Sequence, residues 1–533
     1  MVSRFVRKVR TASGAVAVQI ITRQGREVVR VEHVGSAHTD AELELLLTAA
    51  RDRLEAGQQV FDLGVLERVP ARIDEVADWT GRAGSETVEA VPLGRRPVVA
   101  AGGKVVGTSA LVLWRLLEDA YDRLGFDRLN DDVFKSLVLA RIIEPTSKAD
   151  SIRVLGEVGV KAPALNTIYR CLKRCQERDY RSQLASAAMV FSSRTTGTAA
   201  LVMYDVTTLH FEVRDEDDLR KVGMSKEHRV DPQVQVGLLV DPAGFPLEIS
   251  VFEGNKAETT TIVPVLEAFQ ARHGLTGIVV VADAGMLSAS NLNALEDAGF
   301  SFIVGSRMAK APYDLADHFD RHGTLFDNGQ ILESERVMGT GKQARTRRVL
   351  YQWTFKRQKH DDKTINAMVA KAEKIAAGDT PMRKARFLKV TGGSKELDEK
   401  RVERARQLAG LKGYVTNLPV QTMSGQDVIA AYHDLWQVEA SFRMTKSDLR
   451  ARPVFHQQHE AIQAHLTVVF AALAITRHLT AITGYSIKKI TQTLRTVRTA
   501  TIQINGQTLT IDPEIPPTAA DILTAAKRSL TNE

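Results

Sequence analysis

Cysteine is nearly absent from this chain: Cys171 and Cys175 are the only two, four residues apart in a helical pattern. Their side chains then point the same way, and no further cysteine completes a thiolate metal site, so both read as reduced thiols. Long hydrophobic runs are lacking too. The most apolar late stretch, Val468 to Ile475, ends at Thr476 and Arg477. A bilayer-crossing helix needs about 20 such residues, so the stretch reads as a buried helix of a cytoplasmic protein without a membrane partner. No charged-then-apolar N-terminal segment resembles a secretion signal. The 13 histidines show no zinc spacing; His456, His459 and His465 read better as cap and helix-face residues. What is present is ordinary in amount, 44% hydrophobic and 25% charged residues over 533 positions, enough for several domains.

Charge is uneven. The net charge is +7, but residues 341–412 hold 20 Lys and Arg against 8 Asp and Glu, leaving the remainder acidic by five. Positive charge gathered in one stretch makes a patch that attracts phosphates.

Taken in order, the pattern divides the chain into 1–107, a small β-rich piece with a hairpin across Arg23–Arg26 and a helix over 40–56; 108–195, helical; 196–306 and 413–482, a mixed α/β unit; 307–412, a basic and largely non-periodic insertion; and 483–533, a C-terminal extension. In the helical region Asn130 or Asp131 reads as a cap. A short turn at Val158–Val160 separates two helices, and the second carries Arg170, Lys173 and Arg174, residues that suit a recognition helix against DNA. The α/β unit begins with a short apolar strand, Leu201–Tyr204, that ends on Asp205. Two more strands follow as an antiparallel meander. After a helix, the apolar run Gly277–Ala282 delivers a second acid, Asp283. Three antiparallel strands, then helix, strand, helix and strand, is the order of a ribonuclease-H-like sheet. Beyond the insertion, one helix from Gly425 to about Lys446 is expected, with Tyr432, Leu435, Glu439 and Lys446 along one face.

These blocks together resemble the DDE transposases of bacterial insertion sequences, in the Insertion-Sequence-Four superfamily, whose helix signature is Tyr-x2-Arg-x3-Glu-x6-Lys. Tyr432, Glu439 and Lys446 match at the right spacing, and Leu435 stands where the signature has Arg. Asp205-Val206-Thr207-Thr208 and Ala282-Asp283-Ala284-Gly285 match the family's other two acidic blocks. The tail Arg452 to His456, followed by Ile462 and His465, is similar to one subgroup. The resemblance spans about 200 to 480. It implies two Mg²⁺ or Mn²⁺ ions, bridged by Asp205 and held by Asp283 and Glu439, which activate an attacking oxygen and stabilise the leaving one. It also implies cut-and-paste transposition by a homodimer on double-stranded DNA, cleaving at terminal inverted repeats and joining the 3′-hydroxyl to target DNA in the bacterial nucleoid. Tyr432 and Lys446 would hold phosphates, Arg443 would stand in for the missing Arg, and Trp353 would stack on a base of a hairpin intermediate.

Two other readings compete. A metal-dependent nuclease or resolvase on the same sheet would cut without joining. A DNA-binding regulator without catalysis would use only the helical region and the basic insertion, and would be indifferent to loss of Asp205.

Overall fold

The computed structural model describes residues 2–10, 16–24, 27–37, 104–197, 201–211, 215–223, 231–257, 260–286, 288–306, 315–380, 385–391, 394–451, 458–504 and 507–528. The expected helix over 40–56, most of the stretch 57–107 and the tail Arg452 to His456 lie outside them. The chain divides into two compact units, Met1–Pro70 and Ala71–Glu533.

The first unit contains an antiparallel meander of β1 (Val2–Arg10), β2 (Val16–Gln24) and β3 (Glu27–Ala37). The hairpin across 25–26 is there, with Gln24 opposite Glu27. The basic segment before it is itself a strand, paired with β2 from Val2↔Gln24 to Arg10↔Val16. Val and Phe interspersed among its basic residues suit a strand, though without strict alternation.

The second unit opens with β4 (Lys104–Ser109) and five helices: α1 (Leu111–Arg123), α2 (Asp132–Ile143), α3 (Ser151–Glu157), α4 (Leu165–Glu177) and α5 (Tyr180–Thr196). Asp131 caps α2, accepting from the amides of Val133 and Phe134 at 3.1 and 3.0 Å. Then come β5 (Leu201–His210), β6 (Gln233–Val240), β7 (Pro246–Glu253), α6 (Ile262–His273), β8 (Val279–Ala282), α7 (Ala289–Asp297) and β9 (Ser301–Ser306). The run β5–β6–β7 is the expected antiparallel meander; β8 pairs parallel to β5, and β9 parallel to β8. Strand β5 does not end on Asp205 as expected: its pairing with β6 carries it on to His210, with Asp205 opposite Leu238. The order β7-β6-β5-β8-β9 is that of a ribonuclease-H-like sheet. All eight residues of β6 are buried, which is why its sequence lacks the alternation of a half-exposed strand.

The stretch 307–412 is less irregular than its composition suggested. It contains α8 (Ala316–His322), β10 (Ile331–Met338), β11 (Arg345–Trp353), α9 (Phe355–Ala376), β12 (Leu388–Thr391), β13 (Ser394–Leu397) and α10 (Glu399–Gln407). With β14 (Leu411–Thr416), strands β10 and β11 extend the main sheet to eight strands beyond β9. The guanidinium of Arg347, fully buried, fixes this extension: its Nε donates to Glu296 Oε1 at 2.8 Å and Nη2 to Oε2 at 3.0 Å, tying β11 to α7. Helices α9 and α10 with the β12–β13 hairpin gather a small core of Ile365, Ala372, Phe387 and Ala409.

The expected single helix after β14 is two: α11 (Gly425–His433) and α12 (Trp436–Ser447). At the junction the amides of Leu435, Gln437 and Val438 bond three residues back, at 3.2, 2.9 and 3.2 Å, so the helix tightens to 3₁₀ geometry there. The chain closes with α13 (His459–Thr483), α14 (Ile487–Arg495), β15 (Thr499–Ile504), β16 (Gln507–Ile511) and α15 (Pro517–Arg528).

Two of the expected boundaries do not hold. Helix α13 packs against α1, α2, α4 and α5, so the segments 108–195 and 413–482 share one core. Strand β15 pairs with β4, which straddles the boundary at 107 and draws the C-terminal extension back to the start of the helical region. Helix α13 is long and apolar enough to cross a membrane by length and composition, yet 78% of its most apolar window is buried inside the protein.

Candidate active site

The sheet places the first two acids side by side. Parallel pairing of β5 with β8 runs to Tyr204↔Ala282, so Asp205 and Asp283 are the next residues along two neighbouring chains, one within β5 and one just past the end of β8. Tyr204 points to one face, where its hydroxyl donates to Thr261 Oγ1 at 2.8 Å just before α6. Gly237 on β6 makes room for it: a Cβ there would lie 2.5 Å from the Tyr204 oxygen. By strand alternation Asp205 and Thr207 share the opposite face, and there α12 crosses β5, with Lys446 Nζ donating to Thr207 Oγ1. Asp205 is half-buried and Asp283 exposed.

The third acid arrives on α12. Glu439, Arg443 and Lys446 follow one another at four and three residues, on one face of that helix, and the first two are exposed. Tyr432, at the end of α11, lies over β9, where Gly305 leaves it space; a Cβ on Gly305 would stand 2.3 Å from its hydroxyl oxygen. That hydroxyl donates to Asp283 Oδ1 at 3.2 Å. Burial, then the charge and acceptor of Asp283, with Tyr414 and Glu439 adding, push the Tyr432 phenol well above its ordinary range. It remains a donor.

One residue that the sequence did not single out belongs to this group. Lys412, at the start of β14, places Nζ 4.2 Å from the Tyr432 ring centroid and 5.5 Å from that of Tyr414. Burial and the neighbouring Arg357 hold its ammonium below the usual lysine range, while Asp283 and Glu439 act the other way. Lys412, Tyr432 and Asp283 line a cavity of about 680 Å³ that continues between α9 and α10, where Arg357, Arg401 and Arg404 also face it. The signal was available only as charge: Lys412 is the last residue of the basic stretch.

Other expected site residues fall elsewhere. Leu435 is buried, 6% exposed, and cannot act in place of the signature arginine. Trp353 is also buried; its indole N–H donates to Ala409 O at 3.1 Å, and its ring stacks on Phe326. It is a core residue and is not available to stack on a base. On α4, Arg170 and Lys173 are exposed. Arg174 instead donates to Asp131 at 3.0 and 2.7 Å. Burial opposes the charge of Asp131, but Arg174, the Phe134 amide and Tyr180 together hold its carboxyl below the ordinary range. Arg174 is thus a structural ion-pair partner of the α2 cap.

Among the described residues, no three His, Cys, Asp or Glu side chains stand close enough to hold a metal as they are. The donor chemistry nonetheless fits a hard divalent cation. Asp205 and Asp283 lie on neighbouring chains of the sheet, Glu439 lies on the helix that crosses β5, and all three offer carboxylate oxygen.

A ribonuclease-H-like sheet carrying acids on its first strand, just past its fourth and on a crossing helix defines a class of enzymes that cut and join nucleic acid strands. A family model described as the transposase DDE domain matches residues 199–475. The chain belongs to the DDE transposase family, whose members are metal-dependent polynucleotidyl transferases and nucleases acting in DNA transposition. No curated protein matches it. Among solved structures, it is similar to the piggyBac transposase synaptic complex with hairpin DNA, at 10% identity over 72% of this chain and 70% of that one, with a TM-score of 0.36. The Mos1 mariner paired end complex with Mn matches at 11% identity over 48% and 71%, with a TM-score of 0.15. Both superpositions are loose, and the fold rests on the strand order itself.

Proposed function

We propose that the chain is the transposase of a bacterial insertion sequence of the Insertion-Sequence-Four type, acting by cut-and-paste, with Asp205, Asp283 and Glu439 as its metal-binding acids. The observation that carries this is the register Tyr204↔Ala282, which sets two acids next to each other on adjacent chains, joined with α12 crossing β5. Two Mg²⁺ or Mn²⁺ ions held there would supply Lewis-acid activation of the attacking oxygen and stabilisation of the leaving one. The remaining work falls to the chain's own groups. Tyr432 orients Asp283 through its hydroxyl. Lys446, seated on Thr207, places a positive charge beside Asp205 for a phosphate. Arg443, exposed one turn after Glu439, contacts the DNA backbone from the same helix face. Arg170 and Lys173 on α4 offer a second, separate contact for the element's ends.

The substrate is double-stranded DNA, the terminal inverted repeats and then the target, and the protein works in the cytoplasm on the nucleoid. Pairing two ends calls for a homodimer on DNA. The test is cleavage and joining of a labelled fragment carrying the DNA ends that flank the gene, with Mg²⁺ present. Release of a 3′-hydroxyl followed by joining is expected. Cutting without joining would mean a nuclease or resolvase, and specific binding without cleavage would mean a regulator.

A further inference from the structure

Lys412 occupies an unusual place for a lysine. It lies within β14, opposite Gln352 of β11 and one residue before the Gly413↔Ser306 pair that joins this strand to β9. Its ammonium lies against two tyrosine rings, and Tyr432 of that pair hydrogen-bonds Asp283. The nearer ring distance, 4.2 Å, is within the range of a cation–π contact, which holds the partly buried lysine against the rings. Lys412 and Asp283 line the same cavity. The negative charges acting on Lys412 are Asp283 and Glu439, two of the three acids assigned to metal, and the positive one is Arg357. An ordinary surface ion pair does not look like this: both acids are exposed, and the lysine is drawn in among aromatic rings toward them.

We propose that Lys412 is the built-in counter-ion of the acidic site: it offsets Asp283 and Glu439 while no divalent cation is bound, competes with the cation for them, and turns to a DNA phosphate once the cation has taken them. The inference rests on the reading of those acids as metal ligands. Like charges brought to one sheet edge repel, and a tethered ammonium relieves that repulsion without a free ion. When a divalent cation replaces it, the ammonium sits beside the place where the scissile strand must pass. The cavity continuing past it is lined by Arg357, Arg401 and Arg404, which extend the positive surface along the path of a phosphodiester chain. Lys412 is thus a positioning residue toward the metal and a binding residue toward DNA.

The two roles give effects of opposite sign, which a merely structural lysine would not. Titration calorimetry with Mn²⁺ alone should show Lys412→Met binding the ion about tenfold more tightly than wild type, the effect of removing one unit charge that lines the same cavity as Asp283. Lys412→Arg, which keeps the charge, should stay close to wild type. With Ca²⁺ in place of Mg²⁺, Lys412→Met should bind a labelled duplex of the element end several-fold more weakly, with a salt slope smaller by about 1. In the unaltered protein, acylation of Lys412 followed by mass spectrometry should be faster with Mn²⁺ than without, because the ion frees the amine from between the rings; this arm needs no variant to fold.

Unchanged or weaker Mn²⁺ binding by a folded Lys412→Met, or acylation that Mn²⁺ leaves unchanged or slows, would overturn the proposal alone. If Mn²⁺ binding by wild type did not depend on Asp283 and Glu439, the reading of the acids would fall and this inference with it.

Discussion

At the scale of single residues, the site depends on small accommodations that place large polar groups. Gly305 lets Tyr432 lie on β9, and Tyr432 then reaches Asp283. Tyr432→Phe removes one hydrogen bond to a carboxylate and leaves the ring, so strand cleavage should slow about tenfold with little change in DNA affinity, measured in single turnover. Replacement of Gly305 by Ala should cost more, because the methyl would displace the whole tyrosine. Leu435 shows the opposite case. It stands where the helix signature places an arginine that would reach DNA, yet its side chain is core. Leu435→Arg should therefore restore nothing and should destabilise the fold by about 2–4 kcal/mol, read from chemical denaturation, because it places an unpaired charge among apolar groups.

At the scale of elements, what was legible in the sequence followed burial. Strands β5 and β8 announce themselves as apolar runs that meet an acid, and the capping of α2 by Asp131 is a local signal. Helix α9 was hidden because only Ile365, Ala372 and Ile375 of its 22 residues are buried, and the charges around them mask the helical spacing. Trp353 was misread for a related reason. It stands in a basic stretch, but its strand enters the main sheet, and its burial comes from pairing with β14, a contact 58 residues away at Leu411. Such long-range pairing leaves no local mark. The same extension supplies a test of the fold. Buried Arg347 depends on Glu296, so Glu296→Gln should destabilise the protein by about 3 kcal/mol, seen as a lowered denaturation midpoint, since it leaves a buried guanidinium without its counter-charge.

At the scale of the whole second unit, α13 joins the helical region to the sheet, and its own chemistry sets a pH dependence. His478 on this helix is buried, 6% exposed, with its ring against Phe191. Burial, helped by the charge of Arg123, pushes its imidazole down to about 4. A folded-state value below the unfolded one means that the unfolded chain binds the extra proton. The contribution to stability is therefore complete above about pH 6.5 and is lost as pH falls toward 4. Melting temperature should decline across that window, and His478→Phe should lessen the decline even if it lowers the plateau; the remainder comes from His465 on the same helix and from His273, whose imidazoles burial pushes down to about 3 and about 4. The helical region, the sheet and the extension should unfold together in such a scan, because α13 belongs to their common core. Whether the acids from β5, the end of β8 and α12 act as one site is decided by single-turnover cleavage of an element-end duplex with Mg²⁺ across Asp205→Asn, Asp283→Asn and Glu439→Gln, each with its melting temperature. Loss of cleavage by at least about a thousandfold in every variant, with melting near wild type, is the result this structure calls for. Cleavage that survives in a folded variant of any one of the three would contradict it.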